Sequence, residues 1–164
     1  VRQLWAPWRI EYILSKKSEG CIFCDLPGED RDRDNLILLR GEHSYVIMNR
    51  YPYTSGHLMV VPWKHASSFE GLTPSVLDAM MHMTKLCTDC LGEAMRPEGF
   101  NVGINIGTAG GAGIEEHLHI HIVPRWVGDS NFMAVMDEVR TIPEHLLATY
   151  DKLLPIFGRH AQRT

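Results

Sequence analysis

Two short apolar runs set the first pattern along the chain. "LILLR" and "YVIMN" each fit a strand, and the polar "GEHS" between them fits a turn. "HLMVVP" predicts a third strand, stopped by Pro62. "LTPSVLDAMMHMTKLCTDCLGEAM" predicts a long helix. Thr73 can cap it, Pro74 suits its first turn, and Leu77, Met80, Met81, Thr84, Cys87 and Leu91 recur at helical spacing. "FNVGINI" predicts a strand, followed by a Gly-rich turn and then "HLHIHIVP" as another strand. "PEHLLATYDKLL" predicts a second helix, ended by Pro155. About five short strands, two main helices and no βαβ alternation predict an α+β fold with an antiparallel sheet.

Composition narrows this picture a little. The length of 164 residues predicts a single domain over 1–164, with residues 1–20 as an aromatic arm and 141–164 as a C-terminal helix and tail. A hydrophobic share of 45% against 22% charged is enough to bury a core. The net charge of −4 gives no general pull toward nucleic acid or acidic membranes, so an anionic substrate must be met by local groups. The opening "VRQLWAPWRIEYILSKK" lacks the apolar stretch and small-residue site of a secretory signal, and no run of 18 apolar residues occurs; the cytoplasm is the expected compartment. The charge run "PGEDRDRDN" reads as a solvated loop. Trp5, Trp8 and Tyr12 have helical spacing and are expected to pack onto the domain or a partner, with the base pocket as the alternative.

The chemistry concentrates in "EEHLHIHIVPRW", where His117, His119 and His121 occupy every second position. On a strand they share one face, while Leu118, Ile120 and Ile122 point into the core. Neighbours on such a face stand roughly 6.7 Å apart, so His117 and His121 are roughly 13 Å apart, too far for one ion to bind all three. Two of them sharing an ion stays as a minority reading; separate roles along a line fit better. A neutral imidazole is a good nucleophile near pH 7 and can attack phosphorus. His119 in the middle then has one neighbour to orient it and one to donate to a phosphate oxygen. The preceding turn, "NIGTAGGAG", offers backbone N–H groups that can approach an anion, though it is not a P-loop.

The four cysteines form two Cys-x-x-Cys pairs. Cys21 and Cys24 in "CIFC" make a zinc half-site that needs two further ligands. Cys87 and Cys90 sit inside the predicted long helix among methionines and leucines and read as core thiols.

The motif His-x-His-x-His followed by apolar residues resembles the histidine-triad superfamily of nucleotidyl transferases and hydrolases. "NRYPYTSGHLMVVPWKH" resembles the segment before that family's long helix, and "LWAPWRIEYI", "GFNVGINIG" and "HLHIHIVPRWVGDSNF" look like the bacterial subgroup that includes diadenosine tetraphosphate phosphorylases. The resemblance implies a homodimer whose sheets join, nucleotidylation of His119 on the α-phosphorus, and a phosphate contact from His121. It places Asn49 on the ribose hydroxyls, Asn105 near the phosphates and His57 close to the site. It also implies that His65 and His117 complete a zinc site with Cys21 and Cys24. The chain departs from the family where many members carry Gln-Ser or Ser before the triad. Here the region reads "GGAGIEE", so the backbone amides of Gly111, Ala112 and Gly113 would have to serve the phosphates.

The leading expectation is therefore an enzyme that cleaves a dinucleoside polyphosphate or nucleotide conjugate through nucleotidyl-His119, with phosphate or water as acceptor and no organic cofactor. A nucleotide-binding regulatory zinc module with little turnover is the alternative, favoured by the missing Gln/Ser donors. A zinc hydrolase using two strand histidines is a third, weakened by the distances.

Overall fold

A computed structural model describes residues 20–129 and 144–162. Trp5, Trp8 and Tyr12, and Pro143 at the predicted start of the second helix, lie outside the described residues. The strands are β1 (Ile37–Arg40), β2 (Ser44–Met48), β3 (Leu58–Pro62), β4 (Gly99–Ile104) and β5 (Ile120–Arg125). They form one antiparallel sheet in the order β1-β2-β3-β5-β4. The helices are α1 (Ile22–Asp25), α2 (Asp32–Asn35), α3 (Pro74–Met95) and α4 (Leu146–Ala161). The α+β expectation holds.

Every residue of β2 and β3 is buried, as their unbroken apolar runs require of strands covered on both faces. Helix α3 lies across β2, β3 and β5, while α4 packs against α3 and β1. Met80, Thr84, Cys87, Cys90 and Leu91 are buried on α3, so both thiols of "CTDC" belong to the core. Burial pushes the Cys87 thiol well above its usual range, and burial with the charges of Asp89 and Glu93 pushes Cys90 up to about 12. Met81 departs from the predicted stripe and is 60% exposed. Thr84 stays on the core side by donating its hydroxyl to the Met80 carbonyl, which satisfies a polar group that burial would otherwise strand.

Three expectations on local structure need correction. Thr73 occupies the N-cap position, but its hydroxyl bonds Ser75 rather than a helix N–H. Pro155 does not end the second helix, which runs on to Ala161. Pro155 lies on the exposed side, where water can take the carbonyl it frees, and Leu153, Ile156 and Phe157 hold the helix to the core on the other side. The charge run is mostly exposed, as expected, but much of it forms short helical turns rather than a loop. Arg33 pairs with Asp151 and Arg40 with Asp32, and buried Asn35 donates to the Leu26 carbonyl and Glu29.

Candidate active site

The three alternate histidines run into the start of β5, an inner strand of the sheet. His117 and His119 precede β5, and only His121 lies within it, paired with Met59 of β3 and Gly103 of β4. The lead-in is held by one backbone bond, Leu118 N–H to the Ala66 carbonyl at 2.7 Å. The strand predicted from His117 thus begins three residues later, at Ile120. Leu118, Ile120 and Ile122 are buried as predicted, but so are His117 and His119. The rings of His119 and His121 approach to 4.6 Å between centroids, crossed at 69°.

Each imidazole is fixed by a partner that can play only one role, which sets its tautomer. The His119 Nδ1–H donates to the His117 carbonyl at 2.8 Å, leaving the Nε2 lone pair with no hydrogen-bond partner among the described residues. The Tyr53 backbone N–H donates to His57 Nδ1 at 3.1 Å. His57 must then carry its proton on Nε2, which donates to His121 Nδ1 at 2.9 Å. His121 is left with an Nε2–H that no described residue accepts. Side by side stand an imidazole with a free lone pair and one with a free N–H.

Electrostatics agree with neutral rings. Burial pulls His119 below its ordinary value of 6.5, although the bond to the His117 carbonyl opposes it. Burial, with His119 nearby, lowers His121 to about 4. Burial, with His121 and His119, lowers His57 to about 3.

His57 is placed by a tight approach. Gly56 has φ +81°, and a Cβ there would stand 2.7 Å from the Met95 sulfur at the end of α3, so only glycine fits. The Thr54 hydroxyl donates to the Pro124 carbonyl on β5, tying the same loop to the histidine strand.

Asn49 starts the loop; its side-chain oxygen accepts from the Tyr51 N–H at 2.9 Å, and its own N–H bonds the His57 carbonyl. Asn105 is partly buried and its amide donates to the Gly111 carbonyl at 3.4 Å across the Gly-rich turn. In that turn, the Gly111 N–H closes on Thr108 and the Ala112 N–H on Gly107. The Gly113 N–H makes no backbone bond among the described residues.

At the other end of the histidine line, the ligand atoms of Cys21, Cys24, His65 and His117 all lie within 4.8 Å of one another. Cys21 Sγ is 3.3 Å and Cys24 Sγ 3.5 Å from His117 Nδ1, and Cys24 Sγ is 3.4 Å from His65 Nδ1. A tetrahedral ion with metal–sulfur bonds of about 2.3 Å and metal–nitrogen bonds of about 2.0 Å needs sulfur–nitrogen edges of about 3.5 Å. His117 Nε2–H donates to the Pro62 carbonyl at 2.9 Å, which turns the Nδ1 lone pair toward the thiols. Burial first, then Cys21 and the charges of Asp25 and Glu116, push the Cys24 thiol up to about 11. A bound cation would supply the charge that favours thiolates there. The four residues could hold a metal ion.

Two aromatic residues at the site carried no signal in the sequence pattern. Tyr53, half-exposed, packs at a 41° tilt against His57 at 4.5 Å and lies nearly parallel to His121 at 6.0 Å. Phe23, inside "CIFC", packs on His117 and His119. Tyr53 falls in the quoted family-like segment, four residues before His57, and Phe23 between two candidate ligands; those positions are the only hints.

An antiparallel α+β sheet that carries three alternate histidines beside a metal-competent cluster is the architecture of the histidine-triad class. The chain belongs to the HIT domain family, whose profile matches residues 30–127. It is 37% identical over 158 residues to an AP-4-A phosphorylase of Mycobacterium tuberculosis, covering 91% of this chain and 80% of that protein. It is 33% identical over 112 residues to the adenylylsulfatase HINT3 of Arabidopsis thaliana, covering 68% of this chain and 55% of that protein. Among solved structures, a zinc-bound histidine triad family protein from Mycobacterium smegmatis matches with a TM-score of 0.72 at 23% identity, over 90% of this chain and all of that one. A histidine triad nucleotide-binding protein, ST2152, from Sulfolobus tokodaii matches with a TM-score of 0.67 at 26% identity, over 87% and 93%.

Proposed function

We propose that this chain cleaves dinucleoside polyphosphates, diadenosine tetraphosphate foremost, through a covalent nucleotidyl-His119 intermediate, with inorganic phosphate as acceptor. The observation that carries the reading is the His119 ring, bonded through Nδ1–H to a carbonyl and left with a free Nε2 lone pair beside the His121 N–H. The Nε2 lone pair attacks the α-phosphorus; the anhydride P–O bond breaks and adenosine triphosphate leaves. A phosphate oxygen then attacks the same phosphorus, the P–N bond breaks, and adenosine diphosphate forms while His119 regains its lone pair. The His121 Nε2–H donates to a phosphoryl oxygen in both steps, where charge develops. The likeness to a protein named AP-4-A phosphorylase over 91% of the chain supports phosphate over water as acceptor.

Asn49 on the ribose and Asn105 and Gly113 toward the phosphates complete the reading, with Gly111 and Ala112 lending N–H groups already bonded within the turn. Zinc is the ion we assign to Cys21, Cys24, His65 and His117, because two sulfur and two nitrogen donors at tetrahedral spacing suit it. It would tie the "CIFC" segment to the lead-in of β5, and no step of the reaction runs through it. Among the described residues β4 is an edge strand with Asn101, Val102 and Gly103 exposed, and we take it as the seam of a homodimer. A reducing compartment, the cytoplasm, suits the thiol ligands.

The test is turnover of diadenosine tetraphosphate with and without millimolar phosphate, with products separated by chromatography. Adenosine diphosphate plus triphosphate supports the phosphorylase; monophosphate plus triphosphate at every phosphate concentration makes the protein a hydrolase. Binding of the substrate with no turnover would favour the regulatory module, for which the internally bonded Gly111 and Ala112 amides are the supporting observation.

A further inference from the structure

His119 is gripped by more than its hydrogen bond. The Phe23 ring lies 4.9 Å from the His119 ring, tilted by 58°, and 5.7 Å from the His117 ring, edge-on at 81°. Phe23 is itself only 3% exposed and cannot swing away. Its backbone is pinned as well as its ring: the Tyr45 hydroxyl, fully buried on β2, donates to the Phe23 carbonyl at 2.7 Å. On either side of it the chain turns through the knuckle, with the Cys24 and Asp25 N–H groups both bonded to the Cys21 carbonyl.

A single hydrogen bond at Nδ1 fixes one point of an imidazole and leaves rotation about that axis open. A ring held by two aromatic neighbours in crossed orientations loses that rotation, since off-geometry packing forfeits both contacts. His121 provides one crossed neighbour at 69° and Phe23 the other. Of the two, only Phe23 is apolar and locked on both sides by its own segment.

We propose that Phe23 is a positioning residue for His119, its ring setting the plane of the imidazole so that Nε2 meets phosphorus in line. The placement of this ring between Cys21 and Cys24 also makes the aim of His119 depend on the knuckle being closed. The proposal rests on the reading of His119 as nucleophile. It goes beyond that reading by giving the segment between the thiols a part in the rate of the chemical step.

The experiment compares Phe23→Leu with Ile22→Ala, the latter changing the exposed neighbour in the same knuckle. Single-turnover formation of the nucleotidyl intermediate, KM for diadenosine tetraphosphate and metal content are measured on each. Phe23→Leu is expected to slow the chemical step by roughly ten- to a hundredfold, the cost of a small misplacement of a reacting group, with KM within about twofold and metal content unchanged. Ile22→Ala is expected to match the unaltered chain. In the unaltered chain, nuclear Overhauser effects must join the Phe23 ring protons to those of His119, a readout that needs no variant to fold. A wild-type rate in Phe23→Leu, a loss of metal in step with the loss of rate, or missing Overhauser effects would each overturn the proposal. If His119→Ala itself keeps turnover, the covalent reading fails first. If His119→Ala is inactive and Phe23→Leu is not impaired, only the role of Phe23 falls.

Discussion

His57 Nε2 lies 2.9 Å from His121 Nδ1, and the direction of that bond is dictated from the far side of His57 by the Tyr53 backbone N–H. A main-chain donor cannot reverse, so the proton order runs from Tyr53 through His57 to His121. The distal His121 N–H is thereby fixed as a donor. Replacing His57 by Leu should remove this order and lower kcat about tenfold, the worth of one hydrogen bond expressed in the transition state. His57→Gln, whose amide N–H can still reach His121, should recover most of the rate. Equal rates in the two variants would show that the bond to His121 does not matter.

The same burial that keeps His57 neutral makes the fold sensitive to acid. Its pKa is held near 3 against an ordinary 6.5, so below pH 6.5 the unfolded chain gains a proton that the folded chain refuses. Stability is therefore unaffected above pH 6.5 and lost as pH falls from 6.5 toward 3, at about 1.4 kcal/mol per pH unit for this group. His121, lowered to about 4 but partly exposed, adds a smaller loss of the same sign. Thermal midpoints of the unaltered chain and His57→Gln between pH 7 and 5 give the test. The gap between the two curves should change steadily below pH 6.5, and parallel curves would contradict the buried, neutral state of His57.

His119→Ala should abolish turnover while leaving nucleotide binding largely intact, because a covalent nucleophile has no substitute on the same path. Residual turnover above about a tenth of the wild-type rate would exclude covalent catalysis, since even general acid–base help is worth roughly a hundredfold. Rapid-quench measurement of the steady-state rate, with equilibrium binding of the nucleotide alongside, separates the two effects.

The cluster of Cys21, Cys24, His65 and His117 should carry one zinc per chain. Cys21→Ser should lose it along with several kcal/mol of stability, roughly a 10 °C fall in midpoint for a domain of this size. Elemental analysis of untagged protein and a melting curve check both halves. Full occupancy in Cys21→Ser would remove Cys21 from the ligand set.

Much of this was readable where one residue pattern maps to one environment. Short apolar runs between turn residues marked the strands, and the alternate spacing of His117, His119 and His121 singled out the candidate site. The unreadable part depends on partners distant in sequence. Nothing near Pro155 says that its freed carbonyl side faces water, so a helix stop was the natural reading. Nothing near His119 says that Phe23, 96 positions away by difference of number, would cover it. The ordering of the solvent-facing charge run was not readable, because Asp151, which pairs with its Arg33, belongs to a helix at the other end of the chain. The thiol–imidazole cluster fell between these cases: "CIFC" announced two candidate ligands, and only the likeness to a family supplied His65 and His117.

The exposed edge of β4 leads to the last prediction. Among the described residues β4 has one strand neighbour, β5, and its other side pairs with no described strand, with Val102 47% exposed beside Asn101 and Gly103. A bare edge of this kind invites pairing with a second strand, and no charged side chain stands at these three positions to prevent it. If two copies join edge to edge about a two-fold axis, each Val102 comes close to its counterpart. Val102→Arg then sets like charges near one another and leaves a guanidinium against an apolar neighbour, which should convert the dimer to monomer at micromolar concentration. Sedimentation velocity on both proteins decides it. A dimer that survives Val102→Arg unchanged would place the interface elsewhere, and an unaltered chain that sediments as a monomer would mean the edge is left unpaired in solution.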